Sequence, residues 1–404
     1  MSKFRKNRQE NFGETMKNVK PDYYDEFQCV ADRCTMTCCQ EWKIAVDEAA
    51  YTKWKHVQPP EGMKTRRKDL RAFTTYKDQI CVIGLDADHR CPFLNEQKLC
   101  RLVTTYGDEM LSETCRIFPR EIHEYGTRTE YSLMSCCPEA IDLLQRAGTF
   151  TLHEEKTETE ENKMEEAYFR IRDFFSEQMQ KERTPQKNLL IVYFIALDMY
   201  HVIDKKSSAG ALMRTMKNDT DAHNMNELEQ ALQEFHVDAV ETFTERNELF
   251  LDLSVNYQKE GLYEKYLQEL LVYALSLSEE RECISYDEEH KIFQDVYKEY
   301  EPLMRKFLAA EIYAGCYLPG GDLESMIVQL QWIAMTYSVI EHCLFLYWKL
   351  HGRITYEIVR DYLVVLSRMT GYGEEDIYEY LDNSFENRIW DWGYYALVVG
   401  TENI

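Results

Sequence analysis

Residues 29–39 read CVADRCTMTCC, four thiols in eleven positions. Working outward, Cys81, Cys91, Cys100, Cys115 and the vicinal pair Cys136-Cys137 follow, so ten of the thirteen cysteines fall between positions 29 and 137. Only Cys283, Cys316 and Cys343 lie beyond. The N-terminus, MSKFRKNRQENFGETMKNVK, is basic and polar and lacks the apolar stretch of a secretory signal. In such a chain clustered thiols read as metal ligands or redox groups rather than structural disulfides. The stretch therefore predicts an irregular, metal-binding N-terminal domain.

A soft metal or a cluster needs three or four thiolates converging at about 2.3 Å from each metal atom. The spacing Cys34-x3-Cys38 lets two sulfurs reach one site from a single turn of backbone. Cys91, Cys100 and Cys115, on separate segments, are suited to complete it. The favoured ligand pool is Cys34, Cys38, Cys91, Cys100 and Cys115. Neighbouring side chains diverge in most backbones, so Cys39, Cys136 and Cys137 are expected as second-site or buried thiols. His89 and His123 flank the second group and are expected to support rather than ligate. Zinc and iron–sulfur both accept four thiolates, and ligand type does not choose between them.

The net charge of −24 is uneven. Residues 1–150 carry 23 basic and 23 acidic side chains, and the remainder 24 basic and 48 acidic. An acidic surface argues against binding a nucleic-acid backbone. It keeps a protein dispersed in water and permits attraction of a lysine-bearing partner. No apolar run is long enough to span a bilayer, so a soluble cytoplasmic protein without membrane insertion is expected.

Four stretches are expected along the chain: a polar, mobile leader over 1–20, the cysteine-rich domain over 21–148, an acidic linker over 149–165 containing HEEKTETEENKME, and a helical domain over 166–404. Tyr168, Ile171, Phe174 and Phe175 recur at helical spacing, as do Leu189, Val192, Tyr193, Ala196 and Met199 after Pro185. Further helices are predicted over 226–235, 262–277, 289–310, 323–350, 355–369 and 374–381, with a break at Pro319-Gly320-Gly321. Short strands are predicted at 80–85 and 131–134. Glu341-His342, on a predicted helix, reads as a satisfied core pair. Trp390, Trp392, Tyr394 and Tyr395 are expected to dock on the bundle. The fold class is thus mainly α, an irregular cysteine-rich domain followed by a helical one.

The segments PDYYDEFQCVADRCTMTCCQEWKIAVDEAAY (21–51), CPFL-x5-CRL (91–102) and LSETCRIFPR (111–120) resemble the flagellin lysine-N-methylase family. They also resemble the wider group of zinc- or iron-chelating cysteine-cluster proteins. The likeness is dense over residues 21–140 and looser beyond. It implies methyl transfer from S-adenosylmethionine to flagellin lysines, dependent on a 4Fe-4S cluster. There is neither a G-x-G-x-x-G turn nor the Cys-x3-Cys-x2-Cys run of radical enzymes, so any S-adenosylmethionine site would be of another kind. A cluster held by three protein thiolates leaves one iron open to chelate the methionine amino and carboxylate groups. Arg116 and Arg120 are placed to bind a carboxylate or balance the cluster's charge. A lysine must lose its proton before attack, and Asp47, Glu109, Glu113 and Tyr106 lie near the thiols in sequence. Two competing readings remain: a non-catalytic zinc- or iron-binding protein, and a cluster-dependent oxidoreductase or maturation factor.

Overall fold

The computed structural model describes residues 17–63, 65, 67–77, 79–154, 163–202, 208–279 and 286–401. The N-terminal part contains strands β1 (Lys17–Pro21), β2 (Thr74–Lys77), β3 (Ile80–Ile83), β4 (Arg120–Glu124), β5 (Arg128–Leu133) and β6 (Leu152–Glu154). Between them lie helices α1 (Glu48–Trp54), α2 (Arg101–Tyr106), α3 (Glu113–Ile117) and α4 (Pro138–Arg146). The rest is helical: α5 (Lys163–Met179), α6 (Pro185–Val202), α7 (Ala209–Asp219), α8 (Ala222–Glu234), α9 (Ala239–Glu260), α10 (Glu264–Glu279), α11 (Tyr286–Tyr297), α12 (Glu301–Gly315), α13 (Leu323–His351), α14 (Tyr356–Met369), α15 (Glu374–Ser384) and α16 (Trp392–Val399). The expected mainly helical class holds.

Helix α13 is the axis of the bundle. It carries apolar residues on every side and is buried without interruption from Ser325 to Leu346, as a helix surrounded by others must be. Asp322 and Ser325 close a reciprocal capping box at its start, and Gly352, at φ 72°, takes the left-handed turn that ends it. Packed against it are α6, α9, α10, α12, α14 and α16. The helix predicted over 289–310 is two: Pro302 cannot donate a backbone hydrogen bond, so it opens α12 instead of continuing α11. Tyr395 stacks on Tyr193 at 3.7 Å between ring centroids, which docks the aromatic C-terminal segment onto the bundle as expected. No described helix is long and apolar enough to cross a membrane.

The four-stranded sheet has the order β4-β5-β1-β6, with β1 parallel to β5 and antiparallel to β6. Residues 17–20, expected in the leader, belong to β1, and residues 152–154, expected in the linker, form β6. The rest of the leader, 1–16, and residues 155–162 of the linker lie outside the described residues. Val19, Tyr23, Phe27, Leu133 and Ile141 share one large core with the bundle, so the sheet packs as part of it. Two buried arginines fix that contact. Arg172 of α5 is fully buried and forks onto Glu130 of β5, while Arg128 pairs with the same carboxylate over the Phe169 ring. A second, smaller core contains Ile44, Val46, Trp54, Leu70, Ile83, Cys91, Phe93 and Leu102, with the β2–β3 hairpin beside it.

Glu311 of α12 lies where the sheet meets the bundle, accepting a 2.6 Å hydrogen bond from Ser135. Burial pushes its carboxyl from near 4.5 up to about 7, against the pull of that bond and with help from Glu121. The native state therefore holds a proton there that the unfolded chain gives up, and stability falls as pH rises from about 4.5 through about 7. Glu311→Gln should flatten that slope and add ~1–3 kcal/mol at pH 8. Urea midpoints at pH 5 and pH 8 measure it.

Candidate functional site

Three segments meet at the edge of the small core, each closed by its own local bonding. In the first, Cys39 accepts a 2.8 Å hydrogen bond at its carbonyl from the Cys91 N–H, and Gln40 bridges to Arg90. In the second, the five residues between Leu94 and Cys100 turn back on themselves. The Asn95 N–H donates to the Leu99 carbonyl and the Leu99 N–H donates to the Asn95 side-chain oxygen, both at 2.9 Å. The Asn95 carbonyl accepts from the Lys98 N–H at 3.0 Å, and Lys98 takes φ 58°. That tight loop carries the chain from Cys91 back to Cys100, which caps α2. In the third, Ser112 caps α3 and bonds the Cys115 N–H at 3.4 Å. The following Phe118–Pro119 peptide is cis.

The result is a gathering of sulfur. Cys39, Cys81, Cys100 and Cys115 pack against the core that contains Cys91, which is 5% exposed. Burial pushes the Cys115 thiol up to about 11 and the Cys91 thiol higher still, and each is opposed further by the charge of its neighbours. Cys91 feels Cys39, Cys100 and Cys115, while Cys115 feels Cys39 and Cys100. Cys38 is held well above its usual range, first by the hydrogen bond it shares with Cys39, then by burial. Cys39 moves the other way, down to about 7: the Cys38 bond, the Thr37 hydroxyl and the positive charge of Arg368 outweigh its burial. Cys34 sits between Cys29, Cys39 and Cys137, its thiol raised by burial.

Of the expected pool, then, Cys38, Cys91, Cys100 and Cys115 are brought together and Cys34 stands to one side. Cys39, expected as a second-site or buried thiol, interacts with all five. As the side chains lie, no three His, Cys, Asp or Glu residues among the described ones form a group that could hold a metal ion. The donor chemistry does fit a soft metal or cluster. The gathered donors are all sulfur, they are sheltered by apolar residues, and a shared cation would relieve their mutual repulsion when ionised. Cys283 lies outside the described residues.

The other expected residues have local duties. Arg120 donates to the Phe27 carbonyl at 3.0 Å and lies 4.9 Å over that ring, while Arg116 is exposed on α3. Asp47 caps α1 at Ala50 and also accepts from the Glu113 N–H at 2.8 Å, tying α1 to α3. The Tyr106 hydroxyl donates to the Gln58 carbonyl. Glu109 and Glu113 expose their side chains. His123 pairs with Glu121 on β4, and His89 lies over Gly261. Glu341 and His342 are buried and satisfied, but by other partners: Gln186, Gln294 and Arg246 for the carboxylate, Asn247 for the imidazole.

Two contacts that the sequence did not reveal hold the thiol loop to the bundle. Arg368, in the last turn of α14 and 7% exposed, donates to the carbonyls of Cys136 and Met36 at 3.0 and 2.9 Å and lies over the Trp42 ring. Tyr263, between α9 and α10, bonds Glu41 twice: its N–H to the carboxylate and its hydroxyl to the carbonyl, both at 2.9 Å. Glu41 and Tyr263 both have left-handed backbones, at φ 56° and 55°, a cost accepted where that double bond forms. An arginine near a helix end reads in sequence as a surface cation favoured by the helix dipole. Nothing in its spacing marks Arg368 as buried.

The helices that grip the thiol loop are also the ones that known proteins share. A family model described as the FliB lysine N-methylase C-terminal domain matches residues 172–398, more than half of the chain. The chain belongs to this family. Among individual FliB-family and flagellar relatives it is 29% identical to the flagellar biosynthetic protein FliU of Salmonella muenchen over 151 residues, covering 34% of this chain and 83% of that protein. It is 30% identical to the lysine-N-methylase of Salmonella typhimurium over 132 residues, 30% of each chain. The corresponding protein of Salmonella choleraesuis matches equally. The matched part thus spans under a third of those two methylases. No solved structure matches the chain.

Proposed function

We propose that this protein is a lysine N-methyltransferase that modifies flagellin, with S-adenosylmethionine as donor and a thiol-ligated 4Fe-4S cluster at the Cys38–Cys115 site. The observation that carries the reading is a conjunction. A FliB lysine N-methylase domain, residues 172–398, clasps a gathering of thiols through Arg368 and Tyr263.

In the reaction the lysine ε-nitrogen attacks the methyl carbon of S-adenosylmethionine. A nitrogen–carbon bond forms, the carbon–sulfur bond breaks, S-adenosylhomocysteine leaves, and the ammonium proton passes to a base. The pool Cys34, Cys38, Cys91, Cys100 and Cys115, joined by Cys39, supplies the thiolates that would hold the cluster. When bound, the cluster supplies an open iron as a Lewis acid for the methionine amino and carboxylate groups. The chain's own part is to keep those thiolates sheltered and fixed. Arg368 and Tyr263 set the loop, and the small core excludes water from one side. Arg116 keeps its guanidinium exposed for a carboxylate, whereas Arg120 is engaged at Phe27 and supports the fold there. Glu109 and Glu113 keep exposed carboxylates for the proton, whereas Asp47 is already bound to two backbone N–H groups. The acidic helical part favours encounter with a lysine-bearing protein. The cytoplasm, where flagellin is made, is the compartment this reading requires.

Flagellin incubated with anaerobically purified protein and S-adenosylmethionine should gain methyl groups on lysines, read by mass spectrometry of its peptides. Flagellin unchanged by protein that retains its iron removes the reading.

A further inference from the structure

Away from the thiols, α6, the start of α13 and the segment from Asn387 to Trp392 that leads into α16 line an open groove of about 560 Å³. Its wall is aromatic. Phe194 leaves 43% of its surface exposed and meets Trp392 edge-on, with centroids 6.4 Å apart. Trp392 is backed in turn by Phe235 at 4.6 Å, so the aromatic wall is fixed rather than loose. Its rim is acidic: Asp198 on α6, Glu324 on α13 and Asp391 at the cap of α16. Glu324 is steadied by the Tyr200 hydroxyl at 3.4 Å.

Arg388 and His201 also line the groove. Arg388 is forked onto Asp382, at 2.9 and 2.6 Å, and its charge also acts on Glu324. The rim thus sets Asp198, Glu324 and Asp391 against one arginine already paired elsewhere; His201 is an exposed imidazole at the margin. Beside Asp198 stands a second carboxylate, Asp219, pushed up to about 6 by burial and by the Asp198 charge. Like charges crowded there favour the arrival of a cation.

We infer that this groove is the docking site for a lysine-bearing segment of the protein substrate, with an ammonium group seated among Asp198, Glu324 and the aromatic wall. The inference rests on the methyltransferase reading for the identity of the substrate but on the groove alone for the chemistry of its ligand. A lysine suits both parts of the groove at once. Its methylene stem covers the exposed Phe194 and Trp392 surfaces, and its ammonium meets carboxylates at the rim and the faces of the rings. A phosphate-bearing ligand is repelled by the same rim. The groove uses elements other than those around the thiols, so the anchored lysine is a different residue from the one modified. Such remote contacts lower KM and leave the chemical step unchanged.

The test uses the full-length protein and two probes. With flagellin as substrate, Asp198→Asn/Glu324→Gln should raise KM about three- to tenfold with kcat retained, the effect shrinking as salt rises. Trp392→Leu should raise it similarly. An unchanged KM, or an equal rise in the distant control Asp295→Asn, overturns the inference. The second probe is a lysine-rich synthetic peptide titrated against tryptophan fluorescence, beside its fully acetylated form. Wild-type protein should bind the first and not the second, and the double variant should bind neither. Equal binding of both forms, or saturation by magnesium alone with no peptide effect, overturns it. Because this titration needs no methyl transfer, failure of the groove and failure of the methyltransferase reading give different results.

Discussion

Cys91→Ser should abolish the proposed flagellin methylation, with a loss of at least ~100-fold, and remove the iron of the proposed cluster. Substitutions that only support metal ligands already cost about 10- to 100-fold, so removing a ligand costs more. Cys91 is the strictest test within the pool. It is buried, its N–H bonds Cys39, and its thiol feels Cys39, Cys100 and Cys115 together. Serine keeps the shape and the backbone bond while replacing a soft donor with a hard one. Cys115→Ser should behave alike, since Cys115 feels the same neighbours from α3. The control is Cys343→Ala, in the fully buried middle of α13. That change costs about 1 kcal/mol of packing and should leave iron and activity in place. Iron and methylation measured on the same preparations separate loss of the centre from loss of the fold.

Arg246→Met should destabilise the protein by ~3–5 kcal/mol, the largest effect expected away from the thiols. Arg246 and Glu341 are 3% and 1% exposed, inside the bundle between α9 and α13, and their charged groups meet at 3.3 Å. The arginine also donates to the carbonyls of Val398 and Val399, which secures the end of α16. Methionine fills most of the space but leaves a carboxylate buried with only Gln186 and Gln294 as donors, and it frees two carbonyls. Adding Glu341→Gln removes the unbalanced charge, so the double variant should recover part of the loss. Urea midpoints of the two single variants and the double variant check this. If the singles simply add, the pair is not coupled and the account of the bundle's centre is wrong. Neighbouring His342 is held neutral, its imidazole pushed down to about 3 by burial and by the Arg246 charge.

The reach of the sequence varied with what each residue had to do. Helix α13 was visible because it is a long, mainly apolar run ended by Gly352, and α5 and α6 because they carry apolar residues at helical spacing. Helix α9 escaped because its buried face carries Thr242, Arg246, Asn247 and Ser254, which read as a polar interruption. Strand β4 escaped for a related reason: its residues, REIHE, are polar and mostly half-exposed at the edge of the sheet. Strand β1 lies in a segment whose composition reads as a leader and becomes a strand only by pairing with residues more than a hundred positions away.

At the thiols, spacing singled out residues on three segments that the fold does bring together. It did not show the place of Cys39. Divergence of vicinal side chains was a sound general expectation. Here the Cys91–Cys39 backbone bond and the left-handed turn at Glu41 set where the loop carries that thiol. Arg368 and Tyr263 were beyond reach because their roles depend on tertiary contacts with residues more than two hundred positions distant.

The central claim is that the gathered thiols hold an iron–sulfur centre. It is tested most directly by measuring iron, acid-labile sulfide and zinc in the full-length protein purified without oxygen. The account predicts a coloured protein containing iron and sulfide in near-equal amounts, both lost together in Cys91→Ser and Cys115→Ser. A colourless protein carrying stoichiometric zinc, with neither iron nor sulfide, would contradict it.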